Sequence, residues 1–483
     1  MATEPVSVPP PHAPSRAWRL SGLRETLAQL FPQGEARRRG KWDIPLVVLV
    51  VLLGTAISLG RTTGAGPFQT IWEEDARDLL TDALNNPAIF NVFKPYVGYF
   101  QVLPRVMAQV ATWFPLSWAA AVMSIEAALV CSLLAFAVYV ASGTHFRHPL
   151  ARFLVSAPLL FSATAENWLA EIYNRPATVQ FFLVYAIFWL LLWVPASRAG
   201  RITQVAIVAV SALSTFLVVP LIPLALVRLW VRRDRVSLVL AGLLTAGLAL
   251  QMAGLLLGLT DRSFASPRYN PLWALENYAI WAVPHSMLGW NQAWALPTFA
   301  RLGLGWAAVI VPVLVALRKV TQPKWVLAIV AGAHSVGLAC ITVMANGMAT
   351  QRYLLPVQML LFTALVALLI PKSGVTSLGT KAPLILLACL VMVLGAINYR
   401  HYDTWRNKSP LWTQEVRKAF LSCAATERRE VIIRSGPAPY YSLVTVPCHL
   451  FRNRPGCEAP FCVDLSLDPV PPAKRAHDEV AAG

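Results

Sequence analysis

The sequence predicts an all-α polytopic membrane protein with about eleven transmembrane helices and a small extracytoplasmic α/β segment at its C-terminus. The chain of 483 residues is 56% hydrophobic and only 13% charged, whereas soluble domains carry about a quarter charged residues. Several separate stretches contain the roughly 20 apolar residues that a helix needs to cross the hydrocarbon core. Basic residues concentrate in the short loops between these stretches, and this distribution sets membrane topology.

The first 43 residues are predicted to stay in the cytoplasm as a disordered and interfacial segment. The stretch "MATEPVSVPPPHAPS" is rich in proline and has no packed-core pattern. The next stretch, "WRLSGLRETLAQLF", has the apolar spacing of a short interfacial helix. The basic run "RRRGKW" then precedes the first span, so the positive-inside rule places the N-terminus in the cytoplasm.

A membrane domain is predicted over residues 44–397. Within 202–231, Pro220 and Pro223 remove backbone donors and disfavour one continuous helix. Broken helices at membrane depth are tolerated where they are buried in protein or line a cavity. The predicted spans cover 44–60, 116–141, 149–163, 177–195, two short halves of 202–231, 236–259, 297–317, 324–344, 353–370 and 382–397.

The C-terminal segment, 398–483, is predicted to be an extracytoplasmic tail that contains disulfides. Four of the seven cysteines lie in it, and an even number in one polar segment indicates two disulfides outside the cytosol. Three pairings are possible, and a zinc site is the alternative interpretation of the same residues. These cysteines are Cys423, Cys448, Cys457 and Cys462.

The first external loop carries a concentration of carboxylates in an otherwise basic chain. "WEEDARDLL" places Glu73, Glu74 and Asp75 about a dozen residues beyond the first span, followed by amphipathic stretches at 76–90 and 97–114. Acids at the start of an interfacial helix are stabilised by the helix dipole, which is the structural interpretation. Ionisable groups held near a membrane also mark reaction sites, which is the functional one.

Cations are predicted on the same face of the membrane. "QRYLLP" puts Arg352 and Tyr353 at the outer start of a late span. Both residue types anchor helices at headgroup level, but a guanidinium also binds phosphate through paired hydrogen bonds. Four further cations are predicted outside or at that boundary, namely Lys94, Arg105, Arg175 and Arg268.

Carboxylates and an arginine together suit the transfer of a sugar from a lipid phosphate to a hydroxyl group. The acceptor hydroxyl must lose a proton, so one carboxylate serves as general base. The departing phosphate is a weak base that needs no general acid but does need positive charge. This chemistry requires both the carboxylates and the cations of the predicted site.

The order of these features resembles the integral-membrane glycosyltransferases of the C superfamily, which use polyprenyl-phosphate sugars. The resemblance rests on the acidic loop after the first span, on the two juxtamembrane stretches and on "QRYLLP", and it covers about 44–397. It implies that Asp75 is the base, with Glu74 as the alternative, and that Arg352 contacts the donor phosphate. The run of three acids departs from a simple pair and leaves open which one faces the cavity. Further substrate-binding candidates are Glu73, Lys94, Arg105, Arg268, Tyr353 and, from the tryptophan-rich loop 260–296, His285.

The predicted function is therefore inverting transfer of a single sugar from a polyprenyl-phosphate donor to an extracytoplasmic glycan, lipid or protein. A polymerase or ligase of lipid-linked glycans and a transporter or flippase of lipid-linked sugars are the alternatives. No basic run interleaved with aromatic residues occurs in a soluble stretch, so the net charge of +17 does not indicate a nucleic-acid partner. No metal site or other cofactor is predicted. Composition and basic loops favour a bacterial inner membrane, with the C-terminus outside and membrane lipids as further partners.

Overall fold

The chain folds into a mostly helical protein with a two-stranded sheet near the C-terminus. The computed structural model describes residues 16–34, 43–96, 98–162, 172–257, 269–320, 322–347, 350–371, 378–400, 404–426 and 428–452. The predicted helical class is confirmed in these residues.

The first part of the chain contains seven α-helices, and the acidic loop lies between the second and the third. A π-helix at Asp75–Leu80 leads directly into α3, and a 3-10 turn at Leu116–Trp118 leads into α6. The helices α1 to α7 span Arg16–Ala28, Asp43–Leu59, Thr81–Asn85, Ala88–Val92, Val102–Ala111, Ala119–Ser142 and Pro149–Ser156.

The middle of the chain contains the predicted proline break. The helix before the break ends at Ala212, and the chain then forms a 3-10 segment at Phe216–Leu221 that contains Pro220. The next helix begins at Ile222 with Pro223 in its first turn, where a missing backbone donor costs little. The helices α8 to α14 span Val179–Leu192, Arg198–Ala212, Ile222–Arg232, Arg235–Leu256, Pro271–Asn277, Val283–Leu288 and Trp290–Ala295.

The last part of the chain contains four long helices, which are followed by the elements of the tail. The helices α15 to α18 span Thr298–Lys319, Trp325–Asn346, Gln351–Leu369 and Leu378–Ile397. The tail elements are α19 at Thr404–Asn407, α20 at Trp412–Ala425, β1 at Glu430–Ser435, β2 at Ser442–Pro447 and α21 at His449–Arg452.

Helices α8 and α17 form the centre of the helical bundle. Every residue of α8 is buried, as is every residue of α17 from Leu354 onward. A helix that is apolar on all sides is stable only when other helices surround it. Helix α17 packs against α8 and α16, while α6 packs against α8 and α2.

Six helices of the described chain are long and apolar enough to cross a membrane. Outer helices such as α15 expose apolar side chains, among them Phe299 and Leu317, as expected of a surface that faces lipid. Several other predicted spans fall on shorter apolar helices, including α2 and α8, so the count of about eleven stays a prediction. The six helices cover Leu116–Ser142, Arg235–Gly254, Thr298–Lys319, Trp325–Asn346, Gln351–Leu369 and Leu378–Ile397.

The tail packs α20 against the antiparallel hairpin of β1 and β2. Alternate residues of both strands are buried, as the period of two requires for a sheet with one covered face. A disulfide joins Cys423 of α20 to Cys448 just after β2, whereas Cys457 and Cys462 lie outside the described residues. The buried side chains of the tail, such as Trp412, form one hydrophobic cluster with Leu79 of the acidic segment. The tail therefore packs directly against the loop that carries the predicted site.

Candidate functional site

The backbone of the acidic segment is held by the tail hairpin. The Gly436 amide donates to the carbonyl of Ile71 at 3.1 Å, and the Glu73 amide donates to the carbonyl of Gly436 at 3.0 Å. Glu73 adopts a left-handed conformation with φ of 40°, which is rare for a residue with a side chain. This turn directs the chain into the π-helix that begins at Asp75.

Arg175 joins two of the three acids. Its Nε donates to Oδ2 of Asp75 at 2.9 Å, and its Nη2 donates to Oε2 of Glu74 at 2.5 Å. The other oxygen of Asp75 accepts the Ala177 amide at 2.8 Å. Asp75 is 1% exposed and Arg175 is 3% exposed. Both oxygens of Asp75 are therefore occupied by fixed donors in a buried setting.

A network at the end of α2 fixes the position of Arg175. Asn174 adopts a left-handed backbone with φ of 59°, and asparagine tolerates this conformation better than most residues. Its amide donates to the Ser58 carbonyl at 2.7 Å and to Thr62 Oγ1 at 2.6 Å, and it accepts from the Ser58 hydroxyl at 2.8 Å. These bonds attach the segment before α8 to α2, so the next residue, Arg175, points at the acids.

Arg352 reaches the same acids from the first turn of α17. Its Nη1 lies 3.5 Å from Oε1 of Glu74, whose other oxygen contacts Arg175. The side chain of Arg352 is 35% exposed, compared with 13% for Glu74. Tyr353 packs edge-to-face on Phe181 with ring centroids 5.2 Å apart. Glu74 thus bridges a buried arginine and a solvent-accessible one. We call the set Glu73, Glu74, Asp75, Arg175 and Arg352 the Glu74 cluster.

The three acids of the Glu74 cluster have different proton affinities. Burial by itself raises the pKa of Glu74, but the charges of Arg175 and Arg352 outweigh it and bring that pKa to about 2. Burial raises the pKa of Asp75, and Arg175 offsets only part of this effect. Burial and the neighbouring charge of Glu74 raise the pKa of Glu73. Glu74 is the acid most firmly held in its ionised form.

A tyrosine next to the cluster was not singled out by the sequence. Burial raises the pKa of Tyr96, and the negative charge of Glu74 raises it further. Its backbone pairs with that of Tyr99, with N–H···O distances of 2.7 and 3.1 Å. The phenol therefore stays protonated beside the acids and is available as a donor to a hydroxyl-rich ligand.

Lys94 and Arg105 join a second acidic residue instead of the Glu74 cluster. Lys94 Nζ lies 2.6 Å from Oδ1 of Asp82, and Arg105 Nη1 lies 3.0 Å from Oδ2 of the same carboxylate. Arg105 is 1% exposed and also donates to Oδ1 of Asn91 at 3.0 Å. The contacts of Arg105 with Asp82 and Asn91 connect α3, α4 and α5.

His285 lies in a buried aromatic group, and Arg268 lies outside the described residues. The His285 ring stacks on Trp281 with centroids 5.1 Å apart, and its Nδ1 lies 2.7 Å from the Trp281 carbonyl oxygen. Arg301 covers the same indole at 4.7 Å. These contacts fix the orientation of the His285 ring, and its Nε2 has no hydrogen-bond partner. Its role in substrate binding stays a prediction.

The described residues contain no group of three or more His, Cys, Asp or Glu side chains arranged to hold a metal ion. Within the cluster, Glu74 contacts Arg175 and Arg352, and Asp75 contacts Arg175. The cluster thus places two carboxylates beside a partly exposed guanidinium.

Comparison with known proteins returns neither a matching family model nor a matching curated protein. The geometry of the Glu74 cluster is therefore the basis on which a function is proposed.

Of the five residues of the Glu74 cluster, Arg175 is the one that the sequence indicated least strongly as a functional residue. It was predicted as one of several external cations, with no feature that selects it over Lys94 or Arg105. One local feature that could have indicated Arg175 is its position directly before Pro176, which begins the 3-10 turn that leads into α8. A residue before proline is biased toward extended backbone, so this arginine begins the turn that carries it to the acids.

Proposed function

We propose that this chain is an integral-membrane glycosyltransferase that transfers one sugar, with inversion, from a polyprenyl phosphate to an extracytoplasmic glycan, lipid or protein. The observation that carries the proposal is the contact between Arg352 and Glu74, which places a solvent-accessible cation beside a carboxylate at the start of α17. Sugar transfer from a lipid phosphate requires this combination of a proton acceptor and a phosphate ligand.

Arg352 is proposed to bind the donor phosphate. A guanidinium has five N–H donors in a fixed fork, and only one long contact, 3.5 Å, joins Arg352 to Glu74. Its partial exposure leaves the remaining donors accessible to a ligand. Bidentate binding of a phosphate by arginine is short and directional, so Arg352 both holds the donor and stabilises the charge that develops on the leaving group.

Glu74 is the better candidate for the base than Asp75, although the sequence placed Asp75 first. Asp75 is 1% exposed, and both of its oxygens accept short hydrogen bonds, at 2.9 and 2.8 Å. Glu74 also contacts an arginine through each oxygen, but its contact with Arg352 is long, at 3.5 Å, and its side chain is 13% exposed. We assign Asp75 the role of positioning Arg175, which in turn orients Glu74.

Donor binding would also activate Glu74. The charges of Arg175 and Arg352 keep the pKa of Glu74 at about 2, which is too low for an efficient base. A phosphate bound to Arg352 offsets the part of this effect that comes from Arg352 and so raises the proton affinity of Glu74. The carboxylate then accepts the proton of the acceptor hydroxyl, whose oxygen bonds to the anomeric carbon. The bond from that carbon to the phosphate oxygen breaks, and the lipid phosphate leaves with the electron pair.

The proposed topology has about eleven spans, a cytoplasmic N-terminus and an extracytoplasmic tail in a bacterial inner membrane. The six long apolar helices support a membrane location. The disulfide between Cys423 and Cys448 supports placing the tail in an oxidising compartment. In this arrangement the Glu74 cluster faces the side on which the tail lies.

The test is the mass of cell-surface glycans in cells with the wild-type protein and with the variant Glu74→Gln. We expect the variant to lose the added sugar, because its amide is a very poor proton acceptor. Asp78→Asn is the matched control, since Asp78 lies in the same segment and pairs with Arg77 at the surface at 2.9 Å. Translocation of a lipid-linked sugar without any change in glycan mass would identify a transporter and overturn the proposal.

A further inference from the structure

A large cavity at the other end of the bundle is lined by cations. Its volume is about 1040 Å³. No carboxylate lines it among the residues that the structure describes. We call it the basic cavity, and its polar lining includes Thr144, His145, Arg147, His148, Lys324 and Lys381.

We propose that the basic cavity binds the phosphate headgroup of an anionic phospholipid, at the membrane face opposite the Glu74 cluster. This site is separate from the proposed catalytic chemistry and does not depend on it. Four observations support it: position, charge, an unpartnered buried histidine and an adjoining apolar groove.

Two helices show that the basic cavity lies across the membrane from the acids. Helix α17 begins beside Glu74 and has 19 residues, a length of about 28 Å. The residues that follow it, Ile370 and Pro371, line the basic cavity. Helix α6 has 24 residues, a length of about 36 Å. The turn before α6 begins at Leu116, whose carbonyl accepts a hydrogen bond from Trp412 of the tail. The residues just after α6, including Thr144, line the basic cavity. Such lengths span the hydrocarbon core, so the basic cavity lies at headgroup level.

The cations of the basic cavity are accessible to a ligand. Arg147 and Lys324 are exposed, and Lys381 is half-buried. Partial desolvation lowers the pKa of Lys324, and the positive charge of Arg147 lowers it further. Since no acid is present in the described lining, the positive charges attract an anionic group such as a phosphate.

His145 provides an independent sign of a ligand. It is 5% exposed, and its Nε2 has no hydrogen-bond partner. The ring also forms a hydrogen bond with the backbone of Leu30. Buried polar atoms in proteins nearly always have a partner. Since His145 lines the basic cavity, a molecule in the cavity is the natural partner for Nε2.

An adjoining apolar groove favours a lipid over a free phosphate compound. The groove has a volume of about 1330 Å³ and shares Thr144 and Arg147 with the basic cavity. Its wall comes from α2, α6 and α7 and presents the apolar side chains Leu46, Val50, Leu53, Phe136 and Phe153. A phospholipid has a charged group and an apolar chain joined in one molecule. It therefore matches a basic cavity that continues into an apolar groove.

The test is lipid retention by the full-length protein, measured by native mass spectrometry after reconstitution in equal mixtures of phosphatidylglycerol and phosphatidylcholine. The test variant is the double substitution Lys324→Gln, Lys381→Gln. The matched control is Arg318→Gln, Lys319→Gln, which removes the same charge from exposed positions at the end of α15 on the same membrane face. We expect the wild type and the control to retain phosphatidylglycerol about tenfold over phosphatidylcholine, and the test variant to lose the preference.

Equal loss in the test and control variants would indicate general surface charge and overturn the proposal. Displacement of the retained phosphatidylglycerol by inorganic phosphate at millimolar concentration would indicate a free-phosphate site and also overturn it. Should the test variant fail to fold, the wild type alone decides the question. Retention of phosphatidylglycerol that resists inorganic phosphate supports the lipid site, and absence of any headgroup preference contradicts it.

Discussion

Oε1 of Glu74 lies 3.5 Å from Nη1 of Arg352, although 278 residues separate them in the chain. The first belongs to the loop after α2, and the second to the first turn of α17. The contact places a carboxylate beside a partly exposed guanidinium, and we assign these groups the roles of proton acceptor and phosphate ligand.

Replacement of Arg352 should weaken donor binding in a way that depends on geometry as well as charge. Arg352→Ala removes the phosphate ligand, and we expect kcat/KM for the donor to fall by about 10²- to 10³-fold. Arg352→Lys keeps the charge but loses the planar fork, so we expect an intermediate value. Steady-state kinetics with a purified polyprenyl-phosphate sugar measure both. Equal activity of all three proteins would show that Arg352 does not touch the phosphate.

Asp75 and Arg175 should behave as a coupled buried pair. Asp75→Asn leaves Arg175 without full compensation, and breaking a buried ion pair costs about 3–5 kcal/mol. Arg175→Met leaves Asp75 unpaired at a similar cost. We expect the double variant to be less destabilised than the sum of the two single variants, because it leaves neither Asp75 nor Arg175 as an unpaired buried charge. Thermal unfolding of the four proteins in detergent measures this coupling, and strict additivity would argue against it.

The lowered pKa of Glu74 predicts an acid-dependent loss of stability. An acid whose pKa falls from about 4.5 when unfolded to about 2 when folded stabilises the fold above pH 4.5. That contribution, at most about 3 kcal/mol, disappears as the pH falls from 4.5 through 2. Asp75 and Glu73 have raised pKa values and act in the opposite direction.

The comparison of wild type with Glu74→Gln isolates Glu74 from the other two acids. We expect the difference in unfolding free energy between the two proteins to shrink between pH 5 and about pH 2. A difference that does not change over this range would mean that the arginines do not stabilise the Glu74 carboxylate.

The tail should be required for the shape of the acidic loop. A side chain at Gly436 would place its Cβ 3.0 Å from Ser409 Oγ and 3.1 Å from Trp72 Cε3. Gly436→Val should therefore displace the hairpin from Trp72 and lower transfer activity by at least about tenfold. Gly332→Val is the control, because nothing lies within 4 Å of its Cβ. Limited proteolysis of the tail accompanies the activity assay, and normal activity with a released tail would contradict this role.

The sequence predicts most strongly those features that depend on local pattern. Apolar runs locate the long helices, and Pro220 locates the break between α9 and α10. The short helices α2 and α8 are ambiguous, since length alone does not distinguish a short span from a buried core helix. The eleven-span prediction therefore goes beyond what the six long helices establish.

Which basic residue contacts which acid in the site could not be predicted from the local sequence pattern. Arg175, Lys94 and Arg105 all have the same charge and the same predicted side of the membrane, yet only Arg175 contacts Asp75. The difference comes from Asn174, which attaches this segment to α2. The contact of Gly436 with the acidic loop likewise depends on two segments far apart in the chain, and it leaves no periodic signal in either.

The most direct test is a structure of the protein with a bound polyprenyl-phosphate sugar. The account predicts a phosphate oxygen within about 3 Å of the Arg352 guanidinium. It also predicts that Glu74 faces the anomeric carbon from the side opposite the phosphate, with room for one acceptor hydroxyl. A donor phosphate bound away from Arg352, or a sugar that Glu74 cannot approach, would contradict the central claim.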